Sequence, residues 1–306
     1  MAESIVSLPV IISFLILSVI GLIGNLTIVV VTFKNKSLQT RCCILIGIMA
    51  FFNFIVCVYV TQLRIMMLFG FYNITNTTCF MYSFYGIFAM NMQSILGLYI
   101  GLDRLYNVSC PVKYNKLPLP YYIVIFVFCV VVSLFVTFSK YVFLAEEVII
   151  VVCIPVTALY EVSLRIWLGF NFIIAVSVII VYGWTHVKCT KLKNNNLHSK
   201  TVDSVNRILN SLIVVIAFYV STWFLAMAAL FSAEILNLEG EPVYLIRRWS
   251  GMLVICNSSL HVFIYYWRTP DYRKAIIQLY HLPFKSESNS KIMVSAIPKL
   301  NQVVVL

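Results

Sequence analysis

The chain has 306 residues, 61% of them hydrophobic and only 11% charged, with a mean hydropathy of +0.95. A water-soluble domain of this size would lack the polar surface to cover its core, so the composition excludes one and implies a single polytopic membrane bundle. The net charge of +11 reads as membrane topology and attraction to anionic lipid, not as nucleic-acid binding.

Charges divide the chain into uncharged runs at 4–33, 42–63, 65–102, 117–139, 166–187, 208–233 and 249–267. Each is long enough for a helix of about 20 residues across a bilayer. The run 65–102 is interrupted by Asn73-Ile-Thr-Asn-Thr-Thr78, which is loop chemistry. The prediction is an all-α membrane protein with seven transmembrane helices at about 8–33, 43–68, 79–106, 119–143, 163–188, 204–232 and 244–267. Seventeen of the 22 basic residues fall on one set of loops and the tail. The positive-inside rule puts those loops and the C-terminus in the cytoplasm and the N-terminus outside. The expected organisation is a short extracellular segment (1–7), a bundle with an eighth helix (8–284) and a disordered cytoplasmic tail (285–306).

Helix 1 lacks a basic leader and a small-residue cleavage site, so it is expected to remain in the mature chain. It carries Gly24-Asn25, and helix 2 carries Asn53; amides at such depth can bridge helices. The outer loop that follows holds two sequons, at Asn73 and Asn76. Helix 3 begins near Cys79 and ends on Asp103-Arg104, charges that need protein, water or each other as partners. Tyr82, Gly86, Ile87 and Met90 are taken as one of its faces, turned to a ligand pocket in the outer half of the bundle, with Trp223 of helix 6 below; plain core packing is the competing reading.

The second outer loop has a β-branched centre, Val148–Pro155, expected to be an extended strand or a hairpin. Of nine cysteines only Cys79 and Cys153 fall in confidently outer positions, which favours pairing them over leaving two free thiols. The inner loop Cys189–Thr201 is basic and amide-rich. Asn257, Ser258 and His261 of helix 7 share a face that should turn inward, away from lipid. After it, Thr269-Pro270 can start a short amphipathic helix whose apolar face is Tyr272, Ile276, Leu279 and Tyr280. The terminal Val304-Val305-Leu306 could add as a strand to a groove of the PDZ type, although a frayed tail is the simpler reading.

Taken together, these pieces resemble rhodopsin-like G-protein-coupled receptors. Gly24-Asn25, Cys79, Asp103-Arg104-Leu105, Trp223, Asn257-Ser258 and Tyr265 stand where that family has its characteristic residues. LDRLYNVSCPVKY, NKSLQTRCCILIG and YYWRTPDYRKA resemble the nematode serpentine chemoreceptors of the srsx class. The resemblance implies that Asp103 holds Arg104 at rest, and that Tyr182 and Tyr265 close around Arg104 when a heterotrimeric G protein inserts. The chain also departs from the pattern. Asn53 replaces the helix-2 Asp of the sodium pocket, and Val205 replaces the acid at the base of helix 6, with Asp203 two residues earlier. Leu225 and Val262 replace prolines, so the kinks those prolines cause are expected to be missing. Gly86 replaces the Asp of amine receptors, and helix 7 has no Lys for retinal.

The expected function is a plasma-membrane receptor for an extracellular small molecule or short peptide, acting on a heterotrimeric G protein in contact with membrane lipid and without a cofactor or metal. A transporter or channel is the alternative. It would call for ionisable groups near mid-membrane, and the charges here sit at helix ends. An enzyme would need a metal or nucleophile motif, and neither HExxH nor GxxxxGK[ST] occurs. The topology is testable: an epitope tag at Met1 should label on intact cells, and labelling only after permeabilisation would invert the scheme.

Overall fold

A computed structural model describes residues 6–143, 146–194 and 213–280 of the chain. In chain order the main elements are α1 (Leu8–Lys34), α2 (Arg41–Leu68), β1 (Ile74–Thr75) and α3 (Asn76–Ser109). They are followed by α4 (Pro111–Asn115), α5 (Leu119–Thr137), α6 (Ser139–Val142), β2 (Ile149–Ile150), α7 (Pro155–Ala158) and α8 (Glu161–Asn194). The last are α9 (Ile213–Ile235), α10 (Glu241–Ser259), α11 (His261–Arg268) and α12 (Pro270–Leu279). Among the described residues six helices are long and apolar enough to cross a membrane: α1, α2, α3, α5, α8 and α9. The seventh crossing is made by α10 and α11 in succession.

Helices suit this solvent because each satisfies its own backbone polar groups. In α1, Ile12, Ile16, Val19, Ile23 and Leu26 are exposed at helical spacing, facing lipid. Phe14, Ser18, Gly21, Asn25, Ile28 and Thr32 are buried on the other side. Both faces are largely apolar, so the inward one is marked by small and polar residues that permit close approach. At Gly24 a Cβ would sit 2.6 Å from Val262 Cγ1 on α11.

Helix α3 is the axis. Of the residues in its most apolar stretch 72% are buried, against 22% for α5 at the periphery. It packs against α2, α5, α7 and α8, while α1 packs against α2, α10, α11 and α12, and α9 against α8 and α10. It begins three residues before the expected start because Thr75 Oγ1 accepts the Thr78 amide (3.2 Å) and caps it. A chain of amides and hydroxyls ties it to its neighbours. Asn171 Nδ2 donates to Asn91 Oδ1 (3.1 Å), and Asn91 Nδ2 donates to Thr137 Oγ1 (3.0 Å), joining α8, α3 and α5.

Over one end lies the second outer loop. Its strand β2 pairs antiparallel with β1 (Ile74 opposite Ile150, Thr75 opposite Ile149), so the β-branched segment joins the first loop instead of folding on itself as a hairpin. Cys79 and Cys153 form a disulfide, with Cα atoms 5.5 Å apart. Asn76 is fully buried: its Nδ2 donates to Glu146 O (2.9 Å), and its Oδ1 accepts the Val148 amide (3.3 Å). This corrects the sequence reading of Asn76 as a glycosylation site, because a buried amide spent on two backbone groups offers nothing to a transferase. Asn73 is exposed.

Two further expectations are overturned. Regular α-helix is interrupted at both places without a proline. In α9, Val220–Phe224 is a π turn, where Ser221 Oγ (3.0 Å) and Thr222 Oγ1 (2.6 Å) both lie on Phe218 O. Hydroxyls competing for one carbonyl loosen the ladder and allow the extra residue. The seventh crossing breaks at Leu260, between α10 and α11, where the backbone leaves helical geometry (φ −95°, ψ 1°). The helix expected over 119–143 likewise divides at Phe138 into α5 and α6.

At the opposite end α12 lies on α1. Tyr272 and Ile276 are buried there; Tyr272 Oη is 2.9 Å from Thr32 Oγ1 and donates to Cys43 O (3.3 Å), and Tyr280 Oη is 2.6 Å from Thr27 Oγ1. Pro270 stands in the first turn, but the Thr269 side chain does not cap it. Residues 195–212, with Asp203, Val205 and most of the basic loop, and the tail with its terminal Val304-Val305-Leu306 lie outside the described residues.

The disulfide closes a loop of 74 residues between α3 and the second outer loop. The Cys79→Ser/Cys153→Ser protein should lose about 2–5 kcal/mol of stability on chain entropy. A thermal-denaturation midpoint equal to wild type in the same detergent would contradict this.

Candidate ligand cavity and inner face

Beneath the tied loop is a cavity of about 650 Å³. Its walls come from α1 (Phe14), α2 (Tyr59, Leu63, Arg64), α3 (Met90), α8 (Trp167), α9 (Met227, Leu230) and α10 (Val243, Arg247), and its roof is loop residues 150–157. This size and apolar lining with few polar groups suit a small ligand.

Of the five expected lining residues only Met90 faces this cavity. Tyr82 is 41% exposed on the outside of the bundle. Gly86 is covered by the Tyr59 ring, whose Cγ would be 2.2 Å from an added Cβ. Ile87 is fully buried in the core, and Trp223 is fully buried lower down, beside the inner cleft. The reason is helical phase. Residues four apart drift by about 40° around the axis, so Tyr82 and Met90 differ by about 80°. Cys79, turned inward by its bond to the loop, fixes which end of that arc is buried. The tyrosines that do line the cavity are Tyr59 and Tyr244, and the Tyr59 hydroxyl donates to Ser83 Oγ (3.2 Å). Tyr85 donates to Gln62 across the same helix pair.

Sequence reasoning also missed Arg64, Arg247 and Arg248 in this cavity. The signal was present: all three are among the five basic residues that fall off the side expected to be cytoplasmic, and Arg64 alone interrupts the uncharged stretch 42–102.

Below the cavity the polar residues meet as a layer. Asn25 Nδ2 donates to Gly21 O and to Ser258 O, both at 2.8 Å, joining α1 to α10. Ser258 Oγ donates to Gln93 Oε1 of α3 (3.1 Å). Asn257 Oδ1 lies 3.1 Å from Thr222 Oγ1 in the π turn of α9. Asn53 is fully buried and belongs to no hydrogen bond among the described residues. His261 sits after the break, its ring edge-on to Phe218 (5.9 Å) and tilted against Tyr265 (6.1 Å).

The inner end differs from the expected pairing. Asp103 does not bond Arg104; it accepts from Tyr114 Oη (3.1 Å) and Tyr122 Oη (3.0 Å). Neighbouring helical residues point about 100° apart, so Asp103 turns to α4 and α5 while Arg104 turns into the bundle. Arg41 completes the Asp103 cluster. It donates to Tyr114 O (2.7 Å) and Leu117 O (2.9 Å), and its guanidinium lies 5.5 Å from both tyrosine ring centres. Arg104 instead lines a narrow cleft with Tyr182 of α8, Tyr219 of α9 and Tyr265 of α11. Gly101 makes room for this: a Cβ there would be 2.5 Å from Tyr182 Cε2.

A capped cavity, a polar middle layer and a cleft holding the α3 arginine thus follow one another along the bundle. The model of the family described as serpentine type 7TM GPCR chemoreceptor Srsx matches residues 18–280. The chain belongs to that family. No curated protein matches it. As an Srsx chemoreceptor it is a seven-helix membrane receptor, and the matched region includes every helix described above except the first ten residues of α1.

Close contacts at glycine make a prediction. Gly86→Ala should drive the Tyr59 ring into the cavity and cost about 1–3 kcal/mol by overpacking, whereas Gly97→Ala, with nothing within 4 Å, should not. Equal thermal midpoints for the two proteins would show that the α2–α3 contact is looser than described.

Proposed function

We propose that this Srsx chemoreceptor sits in the plasma membrane with its N-terminus outside. It binds a small extracellular ligand in the cavity under the second outer loop and activates a heterotrimeric G protein at the Arg104 cleft. The observation that carries the reading is the placement of the two sites at opposite ends of the bundle, joined by the layer at Asn25, Gln93, Thr222, Asn257 and Ser258. The excess of basic residues on the Arg104 side supports that side being cytoplasmic.

The physical logic is a two-state element biased from both ends. A ligand that touches α9 and α10 in the outer cavity acts on one helix that contains the π turn at Val220–Phe224 and on another that ends at the Leu260 break. Movement at those breaks changes the width of the cleft. Tyr182 and Tyr265 flank Arg104, so a G-protein segment entering there meets a cation framed by hydroxyls.

The transporter reading is less well supported. Among the described residues no Asp or Glu is buried in the middle of the bundle, and the single ion pair, Arg165–Glu234 (3.2 Å), lies at the outer end with Arg165 largely exposed.

Arg104→Ala should abolish ligand-dependent nucleotide exchange on the G protein at unchanged surface level. Asp103→Asn should keep a partner for both tyrosine hydroxyls and retain most coupling. Exchange that persists in the Arg104→Ala receptor would refute the coupling site.

A further inference from the structure

Arg64 is the least expected residue of the outer cavity. It is 9% exposed, one turn from the outer end of α2, and its guanidinium stands over the Phe14 ring at 3.8 Å. Its Nη1 donates to Met67 Sδ (3.2 Å), and among the described residues Nε has no hydrogen-bond partner. Among the described residues no acid pairs with it, and the one ion pair, Arg165–Glu234, lies elsewhere. A guanidinium has five N–H donors and keeps its charge, so one with an unpartnered Nε and no carboxylate beside it among the described residues retains donor capacity for a further partner. The rest of the cavity does not supply the missing charge. Among its described lining residues three are arginines (Arg64, Arg247, Arg248) and one is acidic, Glu239 at the rim.

The remaining walls are apolar, with Val60, Leu63, Trp167, Met227 and Leu230 among them. A bare inorganic anion would satisfy the arginine and leave these walls facing water, and a neutral apolar ligand would fill the walls and leave the arginine unpaired. We infer that the ligand of this cavity is an amphiphile with one anionic head, a carboxylate or a similar oxyanion, held at Arg64, and an aliphatic or aromatic body against the walls. The inference rests on the cavity being the ligand site of the receptor.

Charge-assisted bonds in a partly dry site are stronger than in water, and a planar oxyanion can take two guanidinium N–H groups at once. Arg247 and Arg248 at the mouth add attraction during approach without being buried. Phe14 holds the guanidinium face, which leaves its edge to donate.

The experiment uses the full-length receptor in nanodiscs without G protein and three probes of equal chain length: decanoate, decanol and decylamine. Binding is read as a thermal shift titrated with probe. Decanoate should bind about 10- to 100-fold tighter than decanol, and decylamine weakest. Arg64→Gln should bring decanoate to the level of decanol while decanol itself is unchanged, and Arg64→Lys should keep a preference for decanoate. Equal binding of decanoate and decanol by the wild type, a preference for decylamine, no binding of any probe, or a decanoate preference that survives Arg64→Gln would each overturn the inference. Should Arg64→Gln not fold, the wild-type ranking and Arg64→Lys decide. Because no G protein is present, a failure of coupling leaves the result intact. A receptor that couples but ranks the probes otherwise loses this inference alone.

Discussion

The rotation of α3 about its own axis is the constraint on which both ends of the receptor depend. Three contacts fix it. Cys79 is bonded to Cys153, the Tyr59 ring lies on Gly86, and the Tyr182 ring lies on Gly101. Each glycine removes a side chain where an aromatic ring from a neighbouring helix must reach the α3 backbone. Rotating the helix by one residue would drive Cβ atoms into both rings and strain the disulfide. With the phase fixed, Met90 faces the outer cavity, Gln93 meets Ser258, Asp103 meets two tyrosines and Arg104 enters the inner cleft.

Between these ends the bundle relies on polar contacts that lipid cannot replace. Apolar packing alone gives little reason for one helix to prefer another when the surroundings are also hydrocarbon. The bonds from Asn25 to Ser258, Asn171 to Asn91, Asn91 to Thr137 and Ser258 to Gln93 therefore carry much of the specificity. All are neutral, which avoids the cost of burying an ion. Arg64 is an exception near the outer end, where the cavity offers it room for a charged partner.

Much of the architecture was legible because charge interrupts hydrocarbon at helix ends. Runs such as 42–63 and 166–187 located α2 and α8, and the pairing of Cys79 with Cys153 followed from their position. Hidden were features set by tertiary contact. Helical phase in α3 depends on what Cys79 bonds, so the inward face was misjudged at Tyr82. Asn76 reads as a sequon, yet its amide is consumed by Glu146 and Val148 of a loop seventy residues away. The break in α9 arises from Ser221 and Thr222 hydroxyls, and no proline announces it. Adjacency of Asp103 and Arg104 in sequence suggested a pair, but adjacency on a helix directs side chains apart.

The π turn at Val220–Phe224 has a geometric consequence for how the receptor can change over time. One extra residue in a turn offsets the two halves of α9 by about 100° relative to a continuous α-helix. The outer half, with Met227 and Leu230 in the cavity wall, and the inner half, with Val215 and Ile216 at the cleft, thus follow separate angular frames. Losing that residue from the turn would carry Met227 and Leu230 off the wall and turn other side chains into the cavity, with the inner frame left where it was. A single-codon deletion could then remodel the cavity wall while sparing the Arg104 cleft.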